Sequence, residues 1–226
     1  MKQLLLKNGA VEVAEVPSPM VEPGTILVQV EYSCISTGTE ISGLRSSGEA
    51  LWRRALKHPN EVKQAFDMAT EQGVRRIHRM IKSKLTSGTA IGYSLAGRVI
   101  DVGEGVRDVS VGDLVACSGA QCAHHAEVVR VPRNLCAKIL ANLDSKFAST
   151  VTLGAIALQG VRRLKPSLGE TIVVLGLGVL GQIGFQLLKA NGCRVIGIDL
   201  NDSRVRLAQK LGIDHAFHPD EVNSID

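Results

Sequence analysis

Hydrophobic and polar positions divide the chain into three textures. Residues 1–43 and 89–149 carry short β-branched runs cut by glycine and proline, such as Thr25-Ile26-Leu27-Val28-Gln29-Val30, Gly97-Arg98-Val99-Ile100-Asp101-Val102 and Ala126-Glu127-Val128-Val129-Arg130-Val131-Pro132. Glu22-Pro23-Gly24, Gly103-Glu104-Gly105 and Val111-Gly112-Asp113 separate these runs as turns. Many short strands at this spacing predict a compact, barrel-like all-β unit. Residues 44–88 interrupt it with helical periodicity. Asn60 is placed as an N-cap, Val62, Ala65, Phe66 and Ala69 share one face, and Gly73 ends the run. Val74, Ile77, Ile81 and Leu85 form a second stripe, so an amphipathic pair covering the β unit is expected.

From about residue 150 the pattern becomes β/α. Ala155-Ile156-Ala157-Leu158-Gln159-Gly160-Val161 predicts a buried helix ending before Pro166. A strand, Thr171-Ile172-Val173-Val174-Leu175, then runs straight into Gly176-Leu177-Gly178-Val179-Leu180-Gly181 and a helical pattern. A second apolar run, Arg194–Ile198, ends on Asp199, eighteen residues after the last glycine. A helix over Ser203–Leu211 closed by Gly212 and a short strand near His215-Ala216-Phe217 follow. Strand, Gly-x-Gly-x-x-Gly, helix and late carboxylate together point to a bound dinucleotide. Gly176 permits the tight turn, Gly178 lets a pyrophosphate approach bare backbone, and Gly181 lets the helix pack closely on the sheet. The free N–H groups where the helix starts, at Val179 and Leu180, face the phosphates. Asp199, followed by Leu200, accepts from the ribose hydroxyls, which favours NAD over NADP because a 2′-phosphate would meet a carboxylate. A complete doubly wound sheet has about six strands, and about three can be counted before Asp226. The expectation is therefore a fragment of a longer protein or a truncated product, and a poor enzyme in isolation.

Composition narrows the class. The 226 residues are 45% hydrophobic and 21% charged, as in a globular protein. Aromatics at 3% leave little to stack single-stranded nucleic acid. No apolar run approaches the ~20 residues of a membrane span, and the start, Met1-Lys2-Gln3-Leu4-Leu5-Leu6-Lys7, has too short an apolar stretch for a signal peptide. Five cysteines without a signal read as reduced thiols in a cytoplasmic protein. Net charge is +4, but residues 44–88 hold ten Lys/Arg against four acids and carry +6, leaving −2 elsewhere. That patch reads as a solvated helix face; no recognised nucleic-acid-binding motif accompanies it, so no nucleic-acid or membrane partner is expected.

Further landmarks occur in a specific order: Glu22-Pro23-Gly24, Cys34-Ile35-Ser36, Gly92 with Ala96-Gly97, Val102-Gly103-Glu104-Gly105-Val106, Val111-Gly112-Asp113, and Gly169-Glu170 before the glycine-rich strand. In this order the chain resembles the zinc-type alcohol dehydrogenase group of the medium-chain dehydrogenase/reductase superfamily, nearly throughout apart from the helical segment. It is most similar to the N-terminal unit of bacterial two-part oxidoreductases. The resemblance implies an α/β protein: a chaperonin-10-like β-barrel catalytic domain over 1–149, with a helical insertion at 44–88, then a partial, first-half Rossmann domain over 150–226. It implies hydride transfer between nicotinamide and an alcohol or carbonyl carbon, with a small alcohol, aldehyde or sugar-type substrate. The chain is then expected as a homo-oligomer or fused to a second oxidoreductase module. Cofactor-binding residues are Gly176, Gly178, Val179, Leu180, Gly181, Asp199, Leu200 and Arg204, the last matching the family's basic residue beside the adenosine ribose.

The metal site departs from the family. Cys34 matches the first zinc ligand and Ser36 the proton-relay hydroxyl two residues on. Tyr93 stands where a histidine usually follows Gly92, Ser94 where a glutamate follows that, and the last cysteine aligns near Thr152. One ligand of three does not hold zinc, so catalytic zinc is not expected and no residue is assigned as a metal ligand. Cys34, Ser36 and Tyr93 are the catalytic candidates, with Ser36 and Tyr93 as hydrogen-bonding or proton-relay groups. Cys117, Cys122, His124 and His125 have zinc-compatible chemistry without a close ligand pair; buried thiols and cleft histidines are the plainer reading. Two functions stand: an NAD-dependent oxidoreductase unit, or a non-catalytic NAD-binding or regulatory module.

Overall fold

The computed structural model describes residues 1–7, 9–36, 38, 40, 88–140 and 142–221. The helical insertion expected over 44–88 lies outside them apart from Gly88. The chain divides into two compact units, Met1–Thr150 and Val151–Asp226.

The described part of the first unit holds strands β1 (Lys2–Lys7), β2 (Ala10–Glu15), β3 (Thr25–Ser33), β4 (Thr89–Ala90), β5 (Ser94–Val102), β6 (Leu114–Ser118), β7 (Val128–Pro132) and β8 (Cys136–Lys138), then a short helix α1 (Ser145–Ala148). They pair antiparallel in the orders β2-β1-β4 and β7-β3-β5-β6-β8. Successive strand side chains point to opposite faces, and the alternation visible in sequence supplies the core. Ile26 and Val28 from β3, Leu95 and Val99 from β5, Val115 and Cys117 from β6, and Val129 and Val131 from β7 form one buried cluster. Asp144 starts α1, its carboxylate accepting the Lys146 N–H at 2.8 Å.

The second unit runs α2 (Val151–Leu164), β9 (Thr171–Leu175), α3 (Val179–Ala190), β10 (Arg194–Ile198), α4 (Asp202–Lys210) and β11 (His215–Phe217). Its strands are parallel in the order β11-β10-β9, the first half of a doubly wound sheet. Phe185 and Leu188 of α3, Val195 of β10, Val205 and Ala208 of α4, and Ala216 of β11 share its core. The helix expected to be buried over Ala155–Val161 is a correction. Within α2 Ala157 is buried, while Ile156, Leu158 and Leu164 are exposed. A continuous apolar run wraps around a helix at about 100° per residue. Val161 packs against the core, Ala157 four residues before it on the same face is buried, and the others turn outward.

Candidate functional site

The glycine-rich turn is built as its sequence demands. Gly176 leaves β9 with φ +90°, and a Cβ at Gly181 would lie 1.9 Å from the Gly176 carbonyl oxygen. Side chains are thus excluded where α3 crosses the end of the strand. No side chain caps α3 at Gly178, its first turn holds no acid, and a Cβ at Gly178 would meet nothing within 4 Å. Uncapped N–H groups beside open space suit a phosphate.

Asp199 organises the rest of this site. Its carboxylate is buried and accepts the Leu177 N–H at 2.7 Å and the Asn201 N–H at 2.8 Å, tying the glycine turn to the end of β10. Arg204 reaches the same carboxylate at 3.5 Å. Burial alone would raise the Asp199 carboxyl, but the Asn201 and Leu177 N–H groups and the Arg204 guanidinium outweigh it and hold it below the usual carboxylate range. Gln182, absent from the sequence reading, donates through Nε2 to the Leu177 and Arg204 carbonyls, both at 3.0 Å. It thereby clamps the turn to α4. Val179, Leu180 and Leu200 are exposed around the turn. The expected cofactor-binding residues therefore converge, and their donor set fits a dinucleotide.

In the first unit the sequence-predicted Cys34 and Ser36 follow β3 directly. The Cys34 N–H donates to the Ser94 carbonyl at 2.9 Å, which places the Cys34 loop against the residue after half-buried Tyr93. Burial first and the charge of Glu40 second push the Cys34 thiol up. Ser94, in place of the family's glutamate, is fully buried and donates to the Ser149 carbonyl at 2.6 Å.

Two residues here escaped the sequence reading. Glu40 folds back onto Ser36: its N–H donates to the Ser36 carbonyl at 2.9 Å and its Oε1 accepts the Ser36 N–H at 3.0 Å. The same Oε1 lies 3.1 Å from Nε2 of buried His125, whose Nδ1 is 2.8 Å from the Ser33 hydroxyl. The carboxylate can only accept, so Nε2 carries the proton and Nδ1 of the neutral ring accepts from Ser33. Ser33 and His125 line a cavity of about 330 Å³ with Lys2, Gln3 and Glu127. The Thr37-x-x-Glu40 spacing, a helix-start signature, was the signal that could have drawn attention to Glu40.

The substitute metal cluster does not assemble. His125 is committed to Glu40 and Ser33, whereas His124 Nε2 lies 3.2 Å from the Ala120 carbonyl, and burial lowers its affinity for a proton. The Cys122 sulfur rests 3.7 Å from the Ser118 and Gly119 carbonyls. Among the described residues no group of three His, Cys, Asp or Glu could hold a metal ion.

Comparison with known proteins agrees with both units. The family model for the alcohol dehydrogenase GroES-like domain matches residues 66–161, and that for zinc-binding dehydrogenase matches 179–226. An alcohol dehydrogenase from Geobacillus stearothermophilus is 27% identical, the match covering 92% of this chain and 60% of the relative. The D-guloside 3-dehydrogenase of Escherichia coli (strain K12) is 32% identical, covering 86% and 52%. Among solved structures, galactitol-1-phosphate dehydrogenase from Escherichia coli superposes with TM-score 0.75 at 17% identity, covering 99% of this chain and 62% of that one. The chain thus spans between half and three-fifths of the length of these curated relatives. With the barrel-type and nucleotide-binding units each matched in order, the chain belongs to the zinc-type alcohol dehydrogenase-like proteins of the medium-chain dehydrogenase/reductase superfamily.

Proposed function

We propose that this chain is the hydride-transfer unit of an NAD-dependent oxidoreductase acting on a polyol- or sugar-type alcohol or its carbonyl partner. In this reading the hydroxyl proton is handled by side chains and not by catalytic zinc. The observation that carries it is the Glu40–His125–Ser33 hydrogen-bond chain beside Cys34 and Ser36, the positions that match the family's first ligand and relay hydroxyl. Nicotinamide, when bound, supplies the hydride acceptor. The turn from Gly176 to Gly181 holds the pyrophosphate, Asp199 and Arg204 hold the adenosine ribose, and Ser36 and Tyr93 orient the substrate hydroxyl. With Nε2 protonated and Nδ1 accepting from Ser33, the chain delivers a proton toward the substrate. As the carbonyl is reduced, His125 Nε2–H supplies Glu40, Ser36 passes the proton to the substrate oxygen, and Ser33 reloads Nδ1 from the cavity; alcohol oxidation runs the same transfers in reverse. The sugar-type substrate is favoured by the relatives' own activities toward a guloside and a galactitol phosphate. The zinc donors do not fit: the later ligand positions hold Tyr93 and Thr152, which leaves Cys34 alone of the three.

The test is NADH formation by the full-length protein containing this chain, assayed over polyols, sugars and 2,3-diols. His125→Gln should lower kcat by roughly a hundredfold with little change in the KM for NAD. Unchanged kcat would remove the relay, and one tightly held zinc per chain in metal analysis would overturn the zinc-free reading. A second reading, a non-catalytic NAD-binding module, draws on the Gly176–Gly181 turn and its tie to Asp199, which need no catalytic group. Saturable NAD binding with no turnover of any such substrate would establish that reading instead.

A further inference from the structure

Three of the five cysteines gather away from the Cys34 loop, on β6, β8 and the turn between β6 and β7. Cys117 and Cys136 are direct partners across the β6–β8 pair. The hydrogen-bond phase of that pair can be read from its neighbours. The Gly119 N–H donates to Tyr93 and the Val99 N–H to Asp113, so odd-numbered β6 residues, Cys117 included, turn their backbone groups toward β5. On the other edge the Ile139 N–H donates to Leu114, so the even-numbered residues bond to β8. Cys117 and Cys136 therefore form a non-hydrogen-bonded pair. This class brings opposing Cα atoms to about 4.5 Å and side chains closest, inside the Cα window of a disulfide.

Cys117 and Cys136, directly opposed on β6 and β8, therefore have their side chains side by side on one face of the sheet. Cys117 is fully buried in the barrel core, while Cys136 is partly exposed. Arg133, ion-paired with Asp108, brings its guanidinium to 3.6 Å from the Cys136 sulfur. The Cys117 hydrogen bond first, then the Arg133 charge, bring Cys136 down to about 7 against the effect of burial, whereas the hydrogen bond with Cys136 and burial push Cys117 up. One sulfur is thus an accessible nucleophile at neutral pH and the other a protected partner within reach. Cys122 packs against the same cluster, and burial raises it.

We propose that Cys136 is a thiol-modification site that reacts with low-molecular-weight disulfides and is resolved by Cys117 into a β6–β8 disulfide. The Cys136 thiolate attacks one sulfur of oxidised glutathione, forming a protein–glutathione mixed disulfide and releasing one glutathione thiolate. Cys117 then gives its proton to solvent and attacks the Cys136 sulfur, breaking the mixed disulfide and releasing the second glutathione. Two protein thiols are oxidised to one disulfide while one glutathione disulfide is reduced to two thiols.

The experiment treats the fully reduced chain with oxidised glutathione near pH 7.5 and follows intact mass and non-reduced peptide maps. A transient glutathione adduct on Cys136, followed by a Cys117–Cys136 linkage with loss of two hydrogens, is expected. Cys117→Ala should leave the adduct on Cys136 unresolved, and Arg133→Gln should slow its formation about fivefold. The wild-type peptide map is decisive even if a variant fails to fold. A Cys122 linkage, first reaction at Cys34, or a stable Cys136 adduct in the wild-type chain would each overturn the proposal.

Discussion

At Asp199 a single carboxylate has two tasks that pull against each other. Its two backbone hydrogen bonds fix the glycine turn, and in the proposed function its charge meets the adenosine ribose. The N–H donors and Arg204 keep it ionised throughout the neutral range. A 2′-phosphate placed here meets that charge, while Arg204, about half exposed, is positioned to soften the repulsion. Asp199→Asn keeps the shape and one acceptor oxygen but removes the charge. It should lower the ratio of NAD to NADP affinity by about tenfold, equivalent to ~1.4 kcal/mol. Paired calorimetric titrations of the two cofactors measure it; tighter NADP binding by the unaltered protein would refute the preference for NAD.

The elements were unevenly legible. A strand with clean alternation, such as β7, declares both its existence and its buried face, because one face meets a core. β9 and β10 were legible through the glycine motif between them, whose residue types answer a backbone need. The buried face of α2 was not, since an unbroken apolar run has no phase until a neighbouring helix selects one. In the same way Glu40 and Ser33 become site residues only when β3 and the segment before β7 come together, a long-range pairing with no local sequence period. The α3–sheet junction gives a sharp test at this scale. Gly181→Ala puts a methyl group 1.9 Å from the Gly176 carbonyl oxygen, a contact that backbone movement alone can relieve. Displacing the turn that presents the phosphate-facing N–H groups should weaken NAD binding at least tenfold, about 1.4 kcal/mol. Gly184, on the same helix with nothing within 4 Å of its Cβ position, serves as the control: Gly184→Ala should bind NAD normally. Equal binding by both variants would separate the turn from the cofactor.

Across the whole molecule the two units present different edges. The described parallel sheet ends on β9, which has β10 on one side and no partner on the other. Val173 and Leu175 stand 53% and 79% exposed on it, and a hollow of about 400 Å³ runs between β9 and α2, lined by Ile156, Leu164, Leu175 and Leu180. A free strand edge with apolar flanks is a template for pairing with another chain. The 226-residue chain should therefore associate in a concentration-dependent way, and Leu175→Lys, which places a charge on that edge, should shift it toward monomer in sedimentation velocity.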